Sequence, residues 1–389
     1  MRQKDYNPES AVRDRYSAAA SKLEPELCCP IEYNTEYLKI IPQEVLDRDY
    51  GCGDPSKYVR KGETILDLGS GGGKICFIAA QVVGPNGRVI GIDMNDDMLT
   101  LARKSSQVVA ETLGYRNIEF RKGKIQDLRL DRDLINNYLC ENPIKNEKDL
   151  VRLEEFSTNL AQNEPMIADN SIDAVVSNCV LNLVSNSDKK QLFTEIFRVL
   201  KKGGRAIISD IVSDEIVPEH LQKDANLWSG CISGAFQESE FLRAFQNAGF
   251  YGIEVVKRDD KPWQTVEGIE FRSVTVIAYK GKEGPCWDHN EALIYKGPFQ
   301  SVTDDDGHTF LRGERVAVCR KTFEIFSKEP YSSYFDLVQP LNEVLASEAT
   351  LFPCTGGVAF RHPKSTKGSD YNITSAATGS SCDPKTSCC

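Results

Sequence analysis

An apolar run, Ile65-Leu66-Asp67-Leu68, enters the turn Gly69-Ser70-Gly71-Gly72-Gly73, and a further apolar stretch runs to Val83. A buried strand passing through glycines straight into a helix is the opening unit of a parallel α/β sheet. The alternation continues downstream. The pattern predicts strands at 64–68, 88–93, 117–121, 172–177 and 205–211, with helices at 73–83, 96–113 and 189–200 between them. Strands alternating with helices of this length give right-handed crossovers. The expected fold is therefore α/β, a doubly wound, mostly parallel Rossmann-like sheet, which runs at 252–258 and 271–279 would complete.

The flanking regions read differently. Residues 1–60 predict a helical, cysteine-bearing segment, with helix at 12–20, a break at Leu27-Cys28-Cys29-Pro30, and more helix at 35–46 interrupted at Pro42. The Rossmann-like core is expected at 61–212, with a charged, partly helical insertion at 128–165. A segment at 213–280, with helices at 219–228 and 238–248, would complete the sheet and cover the substrate. Gly-Pro turns and the alternating Val316-Ala317-Val318 predict a small, β-rich C-terminal module at 281–355. Residues 356–389, rich in Ser, Thr, Gly and Lys beyond Pro363, are expected to be a flexible tail ending in Cys382, Cys388 and Cys389. The net charge of −10 without a long basic block argues against nucleic-acid binding. The N-terminus lacks a signal-type apolar run, and no stretch approaches the roughly 18 apolar residues of a membrane span. These features predict a cytoplasmic protein with no membrane partner.

The glycine turn carries the first chemical expectation. Glycines let a ligand approach the backbone where a Cβ would clash. The pattern alone suits a dinucleotide equally well, but Asp67 ends the strand, where its carboxylate would repel a pyrophosphate and attract a cation. S-adenosylmethionine (SAM), with a sulfonium and an ammonium, is the better fit. The next strand ends at Asp93, followed by Met94, and a carboxylate there accepts both ribose hydroxyls. Asp67 and Asp93, with Gly69, Ser70, Gly71 and Gly73 between them, resemble the class I SAM-dependent methyltransferases over roughly residues 60–280. That resemblance implies that Gly123-Lys124-Ile125 flanks the adenine and that Asn178 faces the methionine end of SAM.

Thirteen cysteines are the second feature. None stands in C-x-x-C spacing, and the four histidines form no H-E-x-x-H, so zinc is weakly supported. A disulfide scaffold does not suit a long chain without a secretion signal. Three cysteines stand in turn-rich contexts: Tyr50-Gly51-Cys52-Gly53, Ser177-Asn178-Cys179-Val180-Leu181-Asn182-Leu183, and Cys231-Ile232-Ser233-Gly234-Ala235. In this order, inside a methyltransferase pattern, they resemble the arsenite methyltransferases. The resemblance implies that Cys52, Cys179 and Cys231 bind As(III) as substrate, and that a more N-terminal cysteine, Cys28 or Cys29, exchanges disulfides. It also implies trivalent arsenicals as substrates and thioredoxin or glutathione as reductant. Cys76 reads as core, and Cys140, Cys286, Cys319 and Cys354 as structural. The three terminal cysteines read equally as a solvated tail or a metalloid-capturing cluster.

The chemistry is coherent without the family. As(III) is soft, and thiolates suit soft centres. Three sulfurs leave its lone pair free to accept a methyl, so no general base is needed, and no histidine stands in the fourth-strand loop. Two other readings compete: a methyltransferase of a small organic acceptor with incidental cysteines, and a non-catalytic metalloid-binding protein. The acidic pair Asp67 and Asp93 argues against the latter.

Overall fold

The computed structural model describes residues 8–21, 24 and 31–367. Cys28, Cys29 and the three terminal cysteines lie outside the described residues. The chain divides into two compact units, Met1–Gly281 and Lys282–Cys389.

The first unit is built on one sheet. Its strands are β1 (Thr64–Leu68), β2 (Arg88–Asp93), β3 (Ile118–Lys122), β4 (Ile172–Asn178), β5 (Leu200–Ser213), β6 (Phe236–Gln237), β7 (Tyr251–Arg258), β8 (Gln264–Val266) and β9 (Ile269–Tyr279). The order is β3-β2-β1-β4-β5-β9-β7, with β6 on β5 and β8 on β9. The first five strands pair in parallel, whereas β9 runs antiparallel to both β5 and β7. The central strands are apolar on both faces: Ile65, Leu66, Leu68, Ala174, Val175 and Val176 are essentially inaccessible. That pattern requires helices on each side. Leu66, Val175, Ile208 and Phe245 belong to one core cluster, and Ile65, Val176, Ile207 and Phe77 to the other, so the sheet separates two apolar layers. The strand order reverses between β2 and β4 around β1. In such sheets ligands bind at that crevice, beyond the carboxyl ends of the strands.

Most expected elements are present. The insertion forms two helices, Arg132–Glu141 and Glu147–Asn163, capped by Asp131 and Asn146. The expected helix at 219–228 is instead two short helices, Glu219–Gln222 and Ala225–Ser229. The Asp224 carboxylate accepts the N–H groups of Asn226 and Leu227 and so starts the second one. No described helix is long and apolar enough to cross a membrane.

The second unit has its own core of Leu293, Tyr295, Phe310, Val316, Phe323, Phe326 and Phe335. Its strands are β10 (Trp287–Asp288), β11 (Ala292–Tyr295), β12 (Ser301–Thr303), β13 (Thr309–Leu311), β14 (Arg315–Ala317), β15 (Phe335–Val338) and β16 (Thr350–Leu351). They form a three-stranded sheet, β14-β11-β15, and two pairs, β10-β16 and β12-β13. The boundary expected for the flexible tail is corrected here. Arg361 pairs with Asp288 at 2.6 Å, and the buried Thr366 accepts from Arg315 at 2.9 Å, so residues 356–367 are packed parts of this unit. Composition alone concealed two anchoring side chains.

Candidate active site

The glycine turn leaves β1 with left-handed backbone at Gly69 (φ 69°), Gly71 (φ 51°) and Gly73 (φ 95°). A Cβ on Gly69 would overlap Val180, and one on Gly73 would lie 2.7 Å from the Phe120 ring. Gly69 and Gly73 are therefore closed to other residues both by dihedral and by space, and Gly71 by dihedral alone. It floors a cleft that Asp67, Gly69, Ser70, Gly71, Asp93, Met94, Lys124, Ile125 and Asn178 all line. Gly73 sits one residue deeper, at the start of the helix Lys74–Val83.

Two acids shape this cleft. Asp93 accepts the N–H groups of Gly71 and Asn95, each at 2.8 Å. Burial nevertheless pushes its carboxyl above the ordinary range, against those bonds. Asp67 is more isolated: burial raises its pKa to about 7, and the nearby Asp93 and Asp49 charges add to the rise. The Cys76 thiol donates to it at 3.1 Å. Cys76, expected only to fill the core, thus bonds the key carboxylate from the following helix. Among the described residues no cation pairs with the buried Asp67 and no partner meets the buried Ser70 hydroxyl, and both face a cleft edged by bare glycine backbone. This arrangement fits a cationic ligand with hydrogen-bonding groups, as SAM is.

The thiols meet next to this cleft. β4 ends at Asn178, and Cys179 leaves the sheet with φ 63°, sending the chain into the short turn Leu181–Leu183. Cys231 has φ 61°. Left-handed backbone on a non-glycine residue costs about 1–3 kcal/mol and collects at functional sites. Both strained cysteines point into one apolar cluster with Cys52, beside Ile211, Ile232 and Phe271. The sulfurs of Cys179 and Cys52 lie within 4.8 Å of each other, and the pKa of the Cys179 thiol is raised chiefly by the neighbouring Cys231 thiol and then by that of Cys52. Burial raises the Cys52 thiol. Cys231 donates to the Cys179 carbonyl at 3.1 Å. Asn182 ties the two segments together, donating to the carbonyls of Ile211 and Cys231 at 2.7 and 3.2 Å. A Cβ on Gly234 would overlap the Asn182 carbonyl, which accounts for the glycine in Ser233-Gly234-Ala235.

Cys52 is placed by Asn178. The Asn178 Oδ1 accepts the N–H groups of Cys52 and Gly53 at 2.9 and 3.0 Å, and its Nδ2 donates to the Gly53 carbonyl at 2.8 Å. Ser273 donates to the Cys52 carbonyl at 2.6 Å. A Cβ on Gly51 would overlap the Asn178 amide, and one on Gly53 would lie 2.6 Å from Ser209. The Gly-Cys-Gly sequence therefore lets a loop lie close against the end of β4 and against Ser209 of β5 and Ser273 of β9. Asn178 lines the cleft, yet both ends of its amide are used on this loop.

Sequence reasoning missed several participants. Asp210, on β5, has its carboxylate within 4.8 Å of the Cys52 and Cys179 sulfurs. Burial raises its pKa to about 7, against bonds from the N–H groups of Ile211 and Leu181. Lys189, buried and donating to the Gly234 carbonyl, supplies a balancing charge; burial lowers its pKa to about 8. Tyr16, on the helix Pro8–Ser21, brings its hydroxyl to 3.9 Å from the Cys231 sulfur. An acid inside the apolar run Ile207-Ile208-Ser209-Asp210-Ile211 was the available signal for Asp210. Nothing local marked Tyr16.

The parallel sheet, the glycine turn at its switch point and the acid on each of the first two strands define a class I SAM-dependent methyltransferase. In agreement, a family model described as a methyltransferase domain matches residues 59–249, and one described only as a domain of unknown function matches 282–371. The chain is 32% identical to the arsenite methyltransferase of Homo sapiens, across 83% of this chain and 77% of that protein. It is 29% identical to the arsenite methyltransferase of Aquipseudomonas alcaligenes, across 82% of this chain and 86% of that one. The crystal structure of an arsenic(III) S-adenosylmethionine methyltransferase from Chlamydomonas reinhardtii superposes with a TM-score of 0.55 at 25% identity, covering 81% of this chain and 99% of that one. Within the class, the chain belongs to the arsenite methyltransferase family.

Proposed function

We propose that this protein transfers a methyl group from SAM to trivalent arsenic held by Cys52, Cys179 and Cys231. The observation that carries the reading is the meeting of three thiols from three distant segments in one apolar cluster, with Cys179 also lining the cofactor cleft. SAM, when bound, supplies an electrophilic methyl to a soft nucleophile. Asp67, Asp93 and the glycine turn would hold it, Asp67 through charge and Asp93 through hydrogen bonds to the ribose. Lys124 and Ile125 line the same cleft, in keeping with a place beside the adenine.

The thiols act on the substrate. Three As–S bonds replace three As–O bonds of arsenous acid, and the thiol protons leave with the hydroxyls as water. Arsenic keeps its lone pair, so the acceptor needs no deprotonation and the site no general base. The apolar wall of Ile211, Ile232 and Phe271 limits competing water. Methyl transfer leaves arsenic formally two electrons more oxidised. Oxidation of two thiols to a disulfide returns it to the trivalent state, and thioredoxin or glutathione resets the pair. Cys28 or Cys29 serves as the exchanging thiol in this reading, at the N-terminal side of the loop that bears Cys52.

Speciation of arsenic products tests the assignment. Cys179→Ser and Cys231→Ser are expected to abolish methylation of arsenite and of monomethylarsonous acid alike. Cys52→Ser is expected to lose the first and keep the second, because a monomethylated arsenical has only two exchangeable positions. Serine is near in size but a hard, poorly ionised ligand. Full activity of Cys179→Ser or Cys231→Ser on arsenite, with SAM binding intact, would defeat the thiolate cage.

A further inference from the structure

Three further cysteines, expected from sequence to be structural, converge in the second unit. The sulfurs of Cys286, Cys319 and Cys354 all lie within 4.8 Å of one another. Three elements bring them together. Cys286 immediately precedes β10 and Cys354 follows β16; these strands pair Trp287 with Leu351, and the Phe352 N–H extends the ladder to the Cys286 carbonyl at 2.8 Å. Cys319 caps the short helix Arg320–Phe326, its sulfur 3.3 Å from the Thr322 hydroxyl. Lys321 in that helix donates to the Gly284 carbonyl at 3.0 Å, tying the helix to the chain just before Cys286. Cys319 is buried, Cys286 half-buried and Cys354 exposed, so the triad has a floor and an opening to solvent.

We propose that Cys286, Cys319 and Cys354 form a second binding site for trivalent arsenic. Among the described residues no histidine, carboxylate or fourth cysteine completes the set at the same distance. Structural zinc takes four protein ligands in a closed site. Trivalent arsenic takes three and keeps a lone pair, and soft thiolates select it over hard cations. Binding is a ligand exchange: three As–O bonds of arsenous acid break, three As–S bonds form, and three water molecules leave with no change of oxidation state. The glycine-turn cleft is formed by residues of the first unit, and the role assigned to this triad is binding alone. It also discriminates. Arsenite can engage all three thiols, a monomethylated arsenical two and a dimethylated one a single thiol, so the site retains unmethylated substrate in preference to product.

The test uses the reduced full-length chain, loaded with arsenite, freed of unbound arsenic and analysed for arsenic and zinc by mass spectrometry. Cys354→Ser and Cys286→Ser are each expected to hold one arsenic atom fewer per chain than the unsubstituted protein. Cys140→Ser, which changes an exposed cysteine outside both clusters, is expected to hold the same number. The thermal midpoint of Cys354→Ser should match the parent, since the side chain is on the surface, and its turnover at saturating arsenite should be unchanged. Unchanged arsenic content in both variants would overturn the proposal. So would stoichiometric zinc in the purified protein that these substitutions release. Repeating the comparison in a Cys179→Ser background separates this site from the methylating one: there methylation is lost, while the one-atom difference persists.

Discussion

Asn178→Ala distinguishes a cofactor contact from a clamp. The side chain accepts two buried backbone N–H groups, those of Cys52 and Gly53, and donates to the Gly53 carbonyl. Alanine leaves these groups without partners in a loop that is buried throughout residues 51–54. Each buried unsatisfied group costs about 1–3 kcal/mol, and water entering the vacated space offsets part of this. A net loss of about 2 kcal/mol in loop docking is reasonable, which corresponds to about thirtyfold. Because Cys52 rides on that loop, arsenite should bind about thirtyfold more weakly. On the proposed thiol site, monomethylarsonous acid would need only Cys179 and Cys231, so its binding should change little, and SAM affinity should stay within about twofold. Arsenical titration followed by intrinsic fluorescence, with SAM calorimetry on the same samples, reads all three. Asn178→Asp keeps the acceptor for both N–H groups but sets a charged carboxylate oxygen against the Gly53 carbonyl, so it should recover only part of the affinity. Arsenite binding unaffected by alanine, together with a large loss of SAM affinity, would refute the clamp and restore Asn178 as a direct cofactor ligand.

Other expectations follow from the acids and the termini. Asp67 has its folded pKa raised to about 7, so the apo protein holds that contribution to stability in full below about pH 4 and loses it as pH rises through 7. SAM binding has the opposite slope: the ionised acid attracts the cation, so affinity should fall about tenfold from pH 8 to pH 6, and Asp67→Asn should flatten that profile in calorimetry. Asp93→Ala removes the charged acceptor proposed for the ribose and also releases the Gly71 N–H, so SAM should bind about ten- to a hundredfold more weakly, a loss of about 1.5–3 kcal/mol; unchanged affinity in the folded variant would displace the cofactor site. Truncation after Lys367 should leave turnover at saturating arsenite intact, whereas truncation at Pro363 should also lower the melting temperature because it deletes the buried Thr366 anchor.

The sequence alone determined the sheet and its cofactor end, because both are local. Strand, glycine turn and helix adjoin in the chain, and both Asp67 and Asp93 lie at strand ends that hydrophobic periodicity marks directly. The three-thiol cluster was visible only as a resemblance, since no spacing rule links Cys52, Cys179 and Cys231. Tertiary structure decided what each polar neighbour does. Asn178 reaches Cys52 across 126 positions of sequence. Asp210 comes beside two thiols because β5 pairs with β4, and Tyr16 meets Cys231 because a helix from the N-terminus packs near it. The second thiol triad was wholly hidden: its members sit in unremarkable contexts, and only the pairing of two-residue strands with a capped helix gathers them. Side-chain meetings of this kind depend on chain crossings that a periodic pattern does not encode.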